Sequence, residues 1–191
     1  DSLLAGKMFG EAALGYYNKA YNLYGYPINI LAAPIASTII PFLAPLQNDV
    51  FGMRAKHLGG VRQVSFIVAL CAVWMHVCAA EVVEIMYGPN WAASIPLLEV
   101  LAFAIYARGV NSVHAPLMSA AGRSDLLMTS TTINTFATFV MILVGGALGS
   151  LQTLATCVAI AYTVELAVPV YLSARHCLRM GALRYFLNLL P

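Results

Sequence analysis

Residues 16–47 read YYNKAYNLYGYPINILAAPIASTIIPFLAPLQ, and this stretch decides the class of the protein. It is mostly apolar and longer than the roughly 20 residues that a helix needs to cross a bilayer. Prolines recur every four to seven residues within it, at Pro27, Pro34, Pro41 and Pro45. Each removes a backbone donor and bends a helix, which a membrane bundle tolerates because neighbouring helices satisfy the freed carbonyls. We therefore predict a long, bent, membrane-spanning helix that ends at about Leu46.

The composition of the whole chain agrees with this prediction. Of its 191 residues, 61% are hydrophobic and 9% are charged, and the mean hydropathy is +0.80. In a soluble domain about a quarter of the residues are charged, so this chain is an integral membrane protein. Its long, unalternating apolar runs indicate an all-α, multi-pass bundle of helices. The net charge of +2 is too small to indicate a nucleic-acid partner.

The apolar runs and their breaks predict about five full spans, at residues 16–46, 61–83, 94–121, 126–148 and 151–174. Residues 1–9 resemble the end of a truncated first helix, so we expect further membrane protein before Asp1. Residues 10–15 and 122–125 are predicted as turns, and the polar residues 48–60 as a loop. We predict a membrane lobe at 1–174 and a basic, amphipathic tail at 175–191 that lies on the membrane surface.

Lysine and arginine indicate the orientation. With five spans, loop 48–60, turn 122–125 and the tail fall on one side of the membrane, and Lys7 falls on the other. The first side carries the basic residues Arg54, Lys56, Arg62, Arg123, Arg175, Arg179 and Arg184. Cytoplasmic loops carry the excess of basic residues, so we predict that this side is cytoplasmic.

Polar residues at membrane depth are the candidates for a functional site. In the first span Lys19, Asn22, Tyr26 and Asn29 are spaced 3, 4 and 3, which places them on one face of a helix. Because a charge facing lipid costs about 3 kcal/mol, this stripe is expected to face protein or water. Two interpretations stay open: hydrogen bonding between helices, with Lys19 reaching the nearby surface, or one wall of a hydrophilic cavity.

The later spans add a second set of polar residues. Arg108 lies in the third span with Asn111 three residues on, Asn134 lies in the fourth, and Glu165 lies midway along the fifth. Arg108 and Glu165 form either a buried pair that pins two helices or part of a substrate or ion pathway, since intramembrane charges commonly mark such routes.

Other classes of function find little support. The four cysteines form no CxxC motif, so we predict no metal site, and no cofactor is indicated. The connections are short and lack the clustered acids or histidines that an embedded glycosyltransferase would need, so we predict that the chain is not an enzyme. The polar stripes also disfavour a purely structural subunit.

Several stretches together resemble one family. They are DSLLAGKMFGEAALGYYNKAYNL at 1–23, PINILAAPIASTIIPFLAPLQND at 27–49, YGPNWAASIPLL at 87–98 and AGRSD at 121–125. In order and spacing they resemble the second half of bacterial Wzx-type polysaccharide flippases, members of the multidrug/oligosaccharidyl-lipid/polysaccharide superfamily. The resemblance covers nearly the whole chain.

The resemblance implies a fold and a function. It implies the C-terminal six-helix lobe of a two-lobe transporter in the bacterial inner membrane, with the N-terminal lobe as its partner. Such proteins move undecaprenyl-diphosphate-linked oligosaccharide by alternating access. Lys19 and Arg108 would then meet the diphosphate, and the asparagines would bind sugar hydroxyls. The alternative is an ion-coupled small-molecule exporter of the same superfamily, with Glu165 or Asp1 as its coupling carboxylate.

Overall fold

The computed structural model describes residues 10–187, and the regular structure in this range is helical. Its α-helices, in chain order, are α1 Glu11–Pro27, α2 Ala33–Leu43, α3 Val50–Val77, α4 Ala79–Tyr87, α5 Ile95–Asn111, α6 His114–Ala120, α7 Ser124–Ala147, α8 Leu151–Glu165, α9 Ala167–Leu172 and α10 Ala182–Leu187. Short π-helical segments at Ile28–Ala32 and Ser173–Cys177, and 3-10 segments at Ala44–Leu46 and Pro89–Ser94, join several of them.

Within the described residues, five helical stretches are long and apolar enough to cross a membrane. They are Glu11–Leu46, Val50–Val77, Pro89–Ala120, Ser124–Ala147 and Leu151–Cys177. The predicted all-α, multi-pass fold is thereby confirmed, and the number of full spans agrees with the prediction.

The proline-rich first span stays helical over its whole length. Pro27 closes α1 and is followed directly by the π-helical turn, and Pro45 lies in the 3-10 turn at the other end. Proline lacks the N–H that an α-helix would use. Next to these two prolines the backbone changes from α-helical hydrogen-bond spacing to π-helical or 3-10 spacing. The prolines therefore shape this span without ending it.

The predicted turn at 10–15 is wrong, because α1 already begins at Glu11. Within residues 10–15, only Gly10 takes a backbone angle that favours glycine, with a φ of 88°. Gly15 lies inside the helix, where a Cβ would meet the Trp91 ring at 3.6 Å. This glycine lies beside Trp91 within the helix, at a distance where a Cβ would make an ordinary van der Waals contact, and it does not mark a turn.

The predicted loop at 48–60 is also wrong, because α3 begins at Val50 and runs unbroken to Val77. The carboxylate of Asp49 caps this helix by accepting a hydrogen bond of 3.0 Å from the Gly52 N–H. Met53 and His57 are buried on one face of the segment. Its polar residues are the outer face of a packed helix, so the connection is a short turn before Val50.

Helix α5 lies at the centre of the bundle and packs against α1, α3 and α8. Its buried face includes Leu98, Leu101 and Ile105, which have no exposed surface. Close approach to α3 depends on Gly109, because a Cβ there would lie 2.5 Å from Cγ1 of the buried Val68. Helices α7 and α1–α2 lie at the periphery: in the most apolar 18 residues of each, only 11% and 22% of the residues are buried.

The turn before α3 and the turn before α7 lie together at one end of the bundle. A Cβ on Gly122 would come 2.5 Å from the Gln47 amide nitrogen. Beside this turn the guanidinium of Arg123 donates two hydrogen bonds, of 2.9 and 3.0 Å, to the Asp125 carboxylate. These bonds raise the pKa of Arg123.

A buried hydrogen-bonded cluster joins the C-terminal segment to two of the spans. The hydroxyl of Tyr185 lies 2.7 Å from His57 Nε2 and 3.2 Å from His114 Nε2. Tyr185 has no exposed surface, and burial raises its pKa well above the ordinary value. This part of the predicted surface tail therefore packs into the bundle; the predicted boundary at 174/175 stays a prediction.

The hydrogen-bond partners within this cluster determine which ring nitrogens of its two histidines carry a proton. Nδ1 of His114 lies 3.0 Å from the Val110 carbonyl, which only accepts, so Nδ1 carries the proton. Nε2 of His114 then accepts from the Tyr185 hydroxyl, and His57 Nε2 donates to the Tyr185 oxygen. Nδ1 of His57 is left as an acceptor, and it has no hydrogen-bond partner within the described residues.

Candidate functional site

A polar cavity of about 420 Å³ lies between α5, α7 and α8. Helix α5 contributes Arg108 and Asn111 to its lining, and α8 contributes Tyr162 and Glu165. The side of α7 that faces it carries Thr131, Asn134 and Thr138. The structure therefore brings four of the residues predicted from sequence, Arg108, Asn111, Asn134 and Glu165, to one site.

Arg108 is held by an aromatic ring. Its guanidinium carbon lies 4.4 Å from the centroid of the Tyr162 ring, in a cation–π contact. The hydroxyl of Tyr162 is in turn 2.9 Å from that of Tyr21 on α1. Among the contacts of residues 10–187, none is a hydrogen bond from the guanidinium to an acceptor, so its planar fork of donors stays available to a ligand.

Glu165 also lines the cavity. It is only 7% exposed, and its carboxylate accepts a hydrogen bond from the Thr138 hydroxyl. Although both residues line this cavity, Arg108 and Glu165 form no ion pair with each other. The ion pair found within the described part of the chain joins Arg123 and Asp125. Helices α7 and α8 are thus tied by a hydroxyl–carboxylate bond.

Asn134 adds an unsatisfied acceptor to the site. Its Oδ1 is buried and has no hydrogen-bond partner within residues 10–187. A buried carbonyl oxygen without a partner costs about 1–3 kcal/mol. A ligand that supplied an O–H or N–H here would recover that free energy.

A row of tyrosines leads from the cavity-lining Tyr162 to α1, and it was not predicted from the sequence. Tyr17 stacks on Tyr21, Tyr21 contacts Tyr24, and Tyr24 stacks on Tyr162 with ring centroids 6.1 Å apart. The spacing 17, 21 and 24 repeats at helical intervals and was the available signal. Its link to Tyr162, 138 residues or more further along the chain, is a property of the fold.

The predicted stripe on the first span lies apart from Arg108. The Lys19 ammonium is 4.3 Å from the centroid of the Tyr87 ring and 5.0 Å from that of Trp91. Burial raises the pKa of Tyr87. Asn22, Tyr26 and Asn29 are exposed on the surface of the helix. Asp1, the other predicted coupling carboxylate, lies outside the described residues.

A family model described as polysaccharide biosynthesis protein matches residues 1–96, which is just over half of the chain. The chain belongs to this family. Among curated relatives, the chain is 25% identical to the lipopolysaccharide biosynthesis protein WzxC of Escherichia coli K12, over 76% of its own length and 30% of WzxC. It is 24% identical to the teichuronic acid biosynthesis protein TuaB of Bacillus subtilis 168, over 66% of its length and 26% of TuaB.

A third relative is the amylovoran biosynthesis protein AmsL of Erwinia amylovora, 24% identical over 66% of this chain and 32% of AmsL. These matches confirm the resemblance to Wzx-type proteins. The aligned part of the chain spans about a quarter to a third of the length of these relatives. No solved structure matches it significantly.

Proposed function

We propose that this chain forms one half of a flippase that moves lipid-linked oligosaccharide units across the bacterial inner membrane. The observation that carries the proposal is the polar cavity at membrane depth, with the guanidinium of Arg108 held against Tyr162 and free to bind an anion. The other half of the route would come from a second lobe of the same protein, facing the exposed sides of α1 and α7.

The chemistry of such a substrate suits this cavity. A diphosphate headgroup is anionic and strongly hydrated, so it crosses hydrocarbon only where the protein supplies cations and hydrogen bonds. Arginine presents a planar fork of donors that matches phosphate oxygens. Asn134 Oδ1 supplies an acceptor for a sugar hydroxyl, and Asn111 lines the same space.

The test is Arg108→Ala in the full-length protein, expressed in cells that lack the native copy. We expect surface polysaccharide to fall at least tenfold while the protein stays at its normal level in the membrane, because the anion loses its charge-assisted donors. Arg108→Lys should restore it only in part, since an ammonium lacks the planar fork. Arg175→Ala, which removes an exposed arginine hydrogen-bonded to Tyr171, is the matched control. Normal polysaccharide in Arg108→Ala would refute the proposed role.

Ion-coupled export of a small molecule is a second candidate, and the burial of Glu165 beside Thr138 favours it. Here Glu165→Gln, which keeps the shape and removes the charge, should abolish resistance to an exported drug while polysaccharide stays normal. Loss of polysaccharide with unchanged drug resistance would favour the flippase.

A further inference from the structure

A second groove, distinct from the Arg108 cavity, lies between α2 and α3 and encloses about 450 Å³. One wall is apolar and includes Ile39 and Phe42 of α2. The opposite side is α3 at Gly59 and Gly60, where a Cβ would meet no atom of the described part of the chain within 4 Å. Because these adjacent glycines carry no side chains, the slot between the helices stays open. Its shape and apolar wall suit a hydrocarbon chain.

The groove lies near the end of the bundle where the chain turns between α2 and α3. Lys56, on its lining, is six residues into α3, or about 9 Å from the start of that helix. The preceding span has 36 residues, about 54 Å of helix, and exceeds the roughly 30 Å hydrocarbon core. Lys56 therefore lies near the level of lipid headgroups, and the apolar wall extends inward from it.

The polar groups of the groove define the headgroup that would fit. Lys56 is exposed and offers a cation, and the groove is lined by no carboxylate within the described residues. His57 forms part of the lining while its Nε2 is engaged by Tyr185, and its Nδ1 is a buried acceptor that has no partner among residues 10–187. A complementary ligand carries an anionic group for Lys56, a hydrogen-bond donor for His57 and an apolar chain.

We propose that this groove binds an anionic phospholipid whose headgroup bears hydroxyls, as in phosphatidylglycerol. The phosphate pairs with Lys56, a headgroup hydroxyl donates to His57 Nδ1, and an acyl chain lies along Ile39 and Phe42. A choline headgroup has no donor, and the positive charge of either a choline or an ethanolamine headgroup would be repelled by Lys56, with no carboxylate among the described lining residues to offset it. Basic pockets between membrane helices are suited to anionic headgroups. The bound lipid would also support the hydrogen-bonded cluster that joins His57 to the C-terminal segment.

The experiment measures lipid retained by the purified full-length protein. Phosphatidylglycerol, phosphatidylcholine and phosphatidylethanolamine of identical acyl chains are titrated into detergent-solubilised protein, and bound lipid is counted by native mass spectrometry. We expect one phosphatidylglycerol to be retained in preference to the other two. Lys56→Gln should weaken its binding about fivefold, whereas Arg54→Gln, on the same helix but outside the groove lining, should not.

A second variant tests the place of binding. Gly60→Leu puts a side chain into the open slot and should abolish retention of the phosphatidylglycerol, while Ala80→Leu adds a similar side chain at an exposed helical position elsewhere. Equal retention of the three lipids, preference for the ethanolamine lipid, or equal effects of Lys56→Gln and Arg54→Gln would each overturn the proposal. Since Lys56 is exposed, its substitution keeps the test decisive even where Gly60→Leu does not fold.

Discussion

At the scale of single residues, the Tyr185 hydroxyl is the contact that joins the C-terminal segment to the spans. Tyr185→Phe removes this bridge and leaves two buried imidazole nitrogens, on His57 and His114, without their partner. We expect the free energy of unfolding to fall by about 1–3 kcal/mol, measured by denaturation in detergent.

The control for this substitution is Tyr171→Phe, which removes an exposed hydroxyl that accepts from Arg175. Exposed contacts of this kind contribute little, so we expect a change within about 0.5 kcal/mol. Equal effects of the two substitutions would mean that the buried cluster does not hold the segment.

At the scale of helices, the crossing of α3 and α5 depends on Gly109. A methyl group at this position would lie 2.5 Å from Cγ1 and 3.2 Å from Cγ2 of Val68, a buried and β-branched side chain. Gly109→Ala should therefore destabilise the protein by about 1–3 kcal/mol in thermal unfolding, although alanine favours a helix.

Gly59→Ala is the matched glycine control on α3, because its Cβ would meet no atom within 4 Å. There the gain in helix propensity, up to about 1 kcal/mol, should appear unopposed. Adding Val68→Ala to Gly109→Ala should recover stability. A double variant no more stable than Gly109→Ala alone would show that this contact does not limit the approach of the helices.

At the scale of the whole molecule, the two ends of the bundle differ in charge. Arg54, Lys56 and Arg123 lie toward the end where Gln47 meets Gly122, and the turn at Ser150 lies at the other end. From the excess of basic residues we expect the first end to face the cytoplasm.

Single cysteines at Asn48 and Ser150, both exposed positions, test this orientation in a cysteine-free protein. A membrane-impermeant maleimide added to intact cells with a permeabilised outer membrane should label Ser150→Cys, and should label Asn48→Cys only after the inner membrane is opened. The reverse pattern would invert the predicted topology.

The amino-acid sequence by itself determined the Wzx-type family and the helical membrane class of this chain. It also predicted the five spans found within residues 10–187, since hydropathy and length are properties of each segment alone. It also identified Arg108, Asn111, Asn134 and Glu165 as polar residues at depth. Local polarity led to the wrong prediction of a loop at 48–60, because the burial of His57 depends on helices far away in the chain.

Only the tertiary structure decided which polar residues meet. Arg108 lies against Tyr162, and Glu165 accepts a hydrogen bond from Thr138, whereas Lys19 lies over Tyr87 instead. Helical periodicity places residues on the face of one helix, but the rotation and crossing of neighbouring helices follow from side-chain packing between distant segments. For that reason the positions of candidate residues along each span were predictable, and their assembly into one cavity was not.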